Sequence, residues 1–362
     1  SPRPQSSLSA PHPQNVNYEQ WSKVAQVTLE LRRDPAQFSR VKEHYQFSLE
    51  AMLREARGQK VPVLFCTVPV NLRDWHPNVS FHSLTGLDLE RWTGVYDAGR
   101  RALLEAAPEK AVHLLQQAAE MDPVYAEGHF ELARALEAQE DWNAAEREYD
   151  QAKDLDYNPF RAISDLNAIV RAIVARNPDS CCLADLDAAL RRASAPRAPG
   201  FDLFLDYVHP SRDGNLCIAR TVFDAIVASR LFGPPTGTDH FVYESVAVDP
   251  EGHFYDESRD CAVQKTILWV FGMMHQYESM VQKAGQLAEA GIYCHRIQPA
   301  IQMVFPAYLE MERNRILGQS VEPAAEREIQ AKVRRFYDEF YLQSGEEDHP
   351  PQPSVSGKGK TP

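Results

Sequence analysis

Phe201-Asp202-Leu203-Phe204-Leu205-Asp206-Tyr207-Val208-His209-Pro210 is the stretch on which the fold assignment turns. Its first five residues are apolar except for Asp202, which suits a buried strand. Residues 206–214, ending at a glycine, suit the loop that leaves one. A histidine three residues past an aspartate on such a loop can point its imidazole into a cleft, while the carboxylate fixes the tautomer and stabilises the imidazolium. Asp206 and His209 are therefore the candidate catalytic pair. The competing assignment is that Asp206, Pro210 and Ser211 only open a helix starting near Ser211, since all three residue types are common at helix N-termini.

Outward from this stretch, residues 61–68 (Val-Pro-Val-Leu-Phe-Cys-Thr-Val) are apolar nearly throughout rather than alternating. That is the pattern of a central, parallel strand covered on both faces. A helix over residues 18–60 leads into it, with Phe38, Val41, Tyr45, Leu49, Met52 and Leu53 at three- and four-residue spacing and a stop at Gly58. The loop 69–77 leaves the carboxyl end of that strand, the edge where α/β proteins place ligands. Asn71 and Arg73 on this loop are the candidate substrate-binding residues, set against the alternative that such side chains bond their own backbone. An amphipathic helix over 160–176, a short strand at 181–184 and a closing helix over 214–231 complete the layer. Residues 61–68 and 203–205 are expected to approach each other across its sheet.

Between the two halves lies a repeat with a period of 34 residues: Ala111, Leu115, Ala118 and Pro123 recur as Ala145, Tyr149, Ala152 and Tyr157, and Gly99 matches Ala133. This is the tetratricopeptide pattern, in which small residues let paired helices approach closely. Copies run over 92–125 and 126–159. Residues 86–159 carry 17 Asp and Glu against 7 Lys and Arg. The inner face, with Glu127, Glu131 and Arg134, is expected to be an acidic groove for a peptide or protein partner, or else a support packed on its own chain.

The 206–209 loop, the strand at 61–68 and the Val70-x-Leu72-x-Asp74 loop around Asn71 together resemble the SGNH, or GDSL-type, hydrolases, in the branch with inserted tetratricopeptide repeats. The resemblance covers only the later half of that domain. It implies a three-layer α/β, flavodoxin-like fold over 18–85 and 160–232, interrupted by the repeat insertion at 86–159. It also implies a serine esterase or acyl hydrolase in which His209 takes the serine proton and Asp206 orients His209, with an acylated carbohydrate as a suitable ester substrate. The family's Gly-Asp-Ser turn and Gly-x-Asn-Asp segment do not occur here. The expectation is therefore either a hydrolase represented by its C-terminal portion, with little turnover of small acetyl esters by these residues alone, or a non-catalytic interaction scaffold. In the first case an anchor, or a periplasmic address, would lie in the missing front part.

Composition excludes several classes. A chain of 362 residues with 44% hydrophobic content and a net charge of −13 is ordinary for a globular protein of two or three domains, but not for a nucleic-acid binder, which needs a basic face. No apolar run reaches the roughly 18 residues of a membrane span. The six cysteines, Cys66, Cys181, Cys182, Cys217, Cys261 and Cys294, lack metal-ligand spacing and read as free thiols. His76 and His82 have no acids at ligand spacing, so neither metal nor other cofactor is expected. Ser180 is the nearest thing to a replacement nucleophile, without a nucleophile-elbow motif around it. Asn78-Val79-Ser80 matches a glycosylation acceptor by accident. Residues 233–345 read as a turn-rich stretch and then helices over 259–290, 293–318 and 322–344. Residues 1–17 and 346–362 read as disordered.

Overall fold

Pro62 lies inside the apolar run 61–68 and Pro69 follows it, and between the two prolines only Val63–Cys66 (β1) is strand. In the computed structural model, which describes residues 30–232, 261–293 and 296–342, β1 pairs in parallel with Cys181–Ala184 (β2), Val63 opposite Cys181 and Cys66 opposite Ala184. The termini read as disordered, the turn-rich stretch 233–257 and Cys294 lie outside the described residues. Everything else regular is helical. α1 (Pro35–Gly58) precedes β1; α2 (Gly86–Leu104), α3 (Pro108–Met121), α4 (Ala126–Ala138), α5 (Trp142–Leu155) and α6 (Ser164–Ala175) separate the strands. After β2 come α7 (Leu186–Ser194), α8 (Arg212–Ser229), α9 (Cys261–Met273), α10 (Tyr277–Glu289), α11 (Ile297–Ile316) and α12 (Pro323–Tyr337).

The three-layer α/β fold expected from the sequence is thus wrong: among the described residues there are two short strands in one sheet, and the chain is mostly helical. The error is traceable to residues 201–205. Leu203 and Phe204 both donate their N–H groups to the Gly200 carbonyl at 3.0 Å, which bends the chain into a turn. Asp202 reinforces the bend by accepting from Gly200 N at 2.9 Å. The only ladder contact is an isolated antiparallel bridge between Phe204 and Pro210. Leu203 and Phe204 are buried all the same, against Leu190, Cys217 and Ile218. Apolar composition reported burial here, not extension. The segment after β1 does reach residues 199–207, but through loop hydrogen bonds from Leu72 N to Pro199 O and Asn71 N to Tyr207 O, at 2.8 and 3.0 Å.

One face of the sheet is covered by α1 and α6, whose Leu53, Val170 and Ile173 pack on Phe65 and Cys181. The four helices α2–α5 pack in chain order. The small residues at the repeat positions, Ala111, Ala118, Ala133, Ala145 and Ala152, are buried. Gly99 shows why size matters there: a Cβ on it would lie 2.7 Å from Leu115 Cγ, so a larger residue would force α2 and α3 apart.

A strap, residues 76–83, ties the post-β1 loop to these helices. Buried Asp156 accepts backbone N–H bonds from Asn78, Val79 and Asn158 at 2.9 to 3.0 Å. Buried Asp122 accepts from Ser83 N and Oγ. From the other side the C-terminal helices close over Trp75, Leu205 and Tyr207, with Phe271, Ile301 and Phe305 in the same core. The helix expected over 259–290 is two helices, broken where His275 takes φ +57° and Gln276 turns to bond the backbone of His76 through both ends of its amide. Among the described residues no helix is long and apolar enough to cross a membrane.

Candidate active site

The loop 203–211 closes on itself before α8 begins. Leu205 N donates to His209 O, and Ser211 N to Leu203 O, both at 2.8 Å. Gly214 sits against this closure: a Cβ there would fall 2.2 Å from Leu203 O, so only glycine lets α8 come so near. The N-cap of α8 is Ser211, whose Oγ accepts from Gly214 N. Asp206 therefore does not cap the helix, and the competing assignment of its carboxylate falls away.

Asp206 is buried and turned inward to its own loop. Its Oδ1 accepts the N–H groups of Val208 and His209 at 2.9 Å each, leaving Oδ2 to contact His209 Nδ1 at 2.7 Å. Three donors on one carboxylate hold it in a single orientation. The imidazole is the opposite case, with 67% of its side-chain surface exposed. Among the described residues its ring hydrogen-bonds only Asp206, so Nε2 faces outward and unengaged. Tyr207 flanks the ring edge-on at 6.2 Å and itself packs on Trp75 at 4.9 Å. Burial pushes the Tyr207 phenol up, so it stays neutral.

Asn71 comes to this loop from the end of β1. It is fully buried, donating Nδ2 to Asp206 O at 3.0 Å and accepting Asp74 N on Oδ1 at 2.9 Å. With Asn71 N on Tyr207 O, the residue locks the two loops together. Arg73 is held by Asp74 and by Asp202, Nη2 lying 2.9 Å from Asp202 Oδ1. Burial works against its charge, but the two carboxylates more than offset that and raise it. The structure thus brings Asn71, Asp206 and His209 into one hydrogen-bonded unit, with Arg73 one turn of loop away on Asp202.

Arg161 was missed from the sequence. It is buried, and Nη1 donates to Asn71 O and Trp75 O at 3.0 and 2.9 Å, clamping both ends of the 71–75 turn. Burial pulls its guanidinium down to about 10 against the attraction of Asp156, which still leaves it charged at neutral pH. The available signal was a charged residue inside the apolar run Phe160-Arg161-Ala162-Ile163, a pattern that calls for a buried partner.

The remaining candidates lie elsewhere. Ser180 precedes β2, at the amino end of the sheet, and accepts from Arg57 Nε, whereas the dyad loop is bonded to the segment that leaves the sheet's carboxyl end. Cys66 and Cys181 have their thiols pushed up, by burial in each case, which is the reverse of an activated thiolate. His76 and His82 pair with Glu127 and Asp122, each at 2.8 Å. Of the expected peptide groove, Glu127 is taken by His76, Glu131 is buried between Arg100 and Arg134, and Arg134 reaches Glu278 of α10 at 3.6 Å. A cavity of about 660 Å³ remains between this face and α11, lined by Arg100, Leu103, Arg134, Leu309 and Arg313 among others.

Compared with protein-family models, with curated proteins and with solved structures, the chain matches none.

Proposed function

We propose that this chain carries the histidine–aspartate half of an SGNH-type ester or acyl hydrolase, with His209 as general base toward a hydroxyl nucleophile attacking an ester carbonyl. The supporting observation is the asymmetry of the pair: a buried carboxylate with three donors, and an exposed imidazole bonded to it by Nδ1 with Nε2 outward. That geometry puts the proton-accepting nitrogen where a nucleophile and substrate can reach it, and leaves the carboxylate to stabilise the imidazolium. Asn71 acts as a positioning residue through the Asp206 carbonyl. Arg73 stays the substrate-binding candidate, since it lines the adjoining cavity. Among the described residues no hydroxyl or thiol hydrogen-bonds the His209 ring, so the reading requires a nucleophile brought to Nε2 from elsewhere. The interaction-scaffold alternative has less support, because the inner faces of α2 and α4 are engaged by the strap and by α10 and α11.

The test is hydrolysis of 4-nitrophenyl acetate and a panel of short acyl esters by the natural gene product. His209→Ala and Asp206→Asn are each expected to lower kcat/KM by about 10³-fold or more. Turnover indifferent to both substitutions, or none across the panel, overturns the reading.

A further inference from the structure

A second cavity, of about 360 Å³, opens beside the dyad loops between the 73–74 turn, α4, the start of α5 and Arg197. That is the small end of the roughly 300–1,000 Å³ span of ligand pockets. Its wall shares the 71–74 loop with the dyad: Asn71 bonds Asp206, and Arg73 bonds Asp202 four residues before it. Three arginines line it, and each is already matched by acids. Arg73 has Asp74 and Asp202, Arg134 has Glu131 and Glu278, and Arg197 has Glu137. A pocket so neutralised offers little to a phosphate or another anion. It does offer planar, paired donors and acceptors with lone pairs and N–H groups to spare, the geometry that reads neighbouring hydroxyls.

The remaining wall is Trp142, half-buried at the first position of α5. Trp75 and Trp92 are buried, Trp75 tilted against Tyr207 and Trp92 stacked on Tyr96. The indole of Trp142 takes part in no ring contact or hydrogen bond among the described residues. An unengaged aromatic face next to charge-balanced planar polar groups suits a ligand that is neutral, polyhydroxylated and apolar on one side of its ring.

We infer that this cavity, walled by Trp142, Arg73, Glu137 and Arg197, binds a neutral saccharide ring and holds the sugar part of an acylated carbohydrate beside His209. Its role rests on the hydrolase reading; the binding itself does not.

The test is titration of the full chain with the trisaccharides chitotriose, cellotriose, mannotriose and xylotriose, followed by calorimetry and tryptophan fluorescence. At least one is expected to bind at millimolar concentration or below and to perturb the indole emission. Trp142→Ala should weaken that binding about tenfold or more, and Arg197→Met, a change at a half-exposed side chain, should weaken it without lowering the unfolding midpoint. His209→Ala should bind as the unaltered chain does. Binding of none of the four, or binding unchanged in whichever of the two cavity variants folds, overturns the inference. Saccharide binding without ester turnover in the natural product overturns only the hydrolase reading.

Discussion

Two regions use the same contact for different ends. At the dyad, His209 Nδ1 meets Asp206 at 2.7 Å; in the repeats, His129 Nδ1 meets Glu148 at 2.7 Å. The difference lies at the second nitrogen. His129 is buried and its Nε2 bonds the Pro123 carbonyl at 3.1 Å, so the ring is a two-ended tie between α4, α5 and the turn before them. His82 differs from both: it bonds only Asp122, through Nδ1, but its ring is stacked on Tyr125 at 3.9 Å and only 25% of its side chain is exposed. Of these described pairs, only the dyad sets a mostly exposed imidazole on a buried carboxylate. A histidine–carboxylate distance therefore says little about function; chemistry needs a nitrogen left over.

The comparison breaks most readily at the carboxylates. Asp206→Asn removes the acceptor that orients an exposed ring, so in the natural product ester hydrolysis should fall by about 10⁴-fold while thermal unfolding barely changes. Glu148→Gln should do the reverse, lowering the unfolding midpoint and leaving kcat/KM alone. Equal effects of the two on turnover would mean that the dyad is only another tie.

The next largest effect is expected at the buried charges beneath the loops. Asp156→Ala would release two backbone donors of the strap and that of Asn158, and remove the strongest attraction acting on the buried Arg161 guanidinium. Each buried donor so left unsatisfied typically costs about 1–3 kcal/mol, to be read from urea unfolding. Gly214→Ala comes below it: the clash with Leu203 O must displace either α8 or the dyad loop, at about 1–3 kcal/mol. Hydrogen exchange should then rise at residues 203–211 and not at the strap.

The smallest effect is a pH dependence, and it belongs to the buried histidine ties rather than to the dyad. For both His76 and His129 burial is the largest influence and lowers the pKa, but the paired glutamates outweigh it and the net shift is upward. A raised folded-state pKa stabilises most fully below the unfolded value of about 6.5, and that stability is lost as pH rises through the folded values. The unfolding midpoint should therefore decline from mildly acidic to mildly alkaline pH, and the decline should shrink in His129→Gln. Asp185 marks the acid limit. Its hydrogen bonds from Arg171 hold it down to about 2, so its contribution is present above about 3.9 and lost as pH falls toward 2. Circular dichroism melts across this range would show both slopes, and a flat profile above pH 6 would remove the histidine ties from the account of stability.

Local chemistry made much of this legible in advance. Asp206 and His209 sit three residues apart, and a carboxylate can reach an imidazole over that span through one tight turn, so their contact needed no distant support. β2 fell on residues 181–184, and α8 opened at the serine before Arg212. Residues 201–205 were misread because an apolar run signals burial whether the chain extends or turns, and Asp202 within it was a turn former passed over. Asn71 stands out by its position after a strand, yet its amide bonds Asp206 and Asp74, partners 135 and 3 residues away. Nothing in its neighbours distinguishes that from a substrate contact.

By itself, the sequence determined what depends on near neighbours: the period of small residues that lets α2–α5 pack, the Asp-x-x-His turn, and the acidic balance of the chain. The tertiary structure alone decided which paired histidine stays exposed, that the inner repeat face meets α10 and α11, and that Arg161 underpins the 71–75 turn. It also set Trp142 beside Arg73 and Arg197. Those outcomes rest on burial and on contacts between residues far apart in the chain. The cost of leaving a buried charge or amide unpaired acts only once the helices have closed around it.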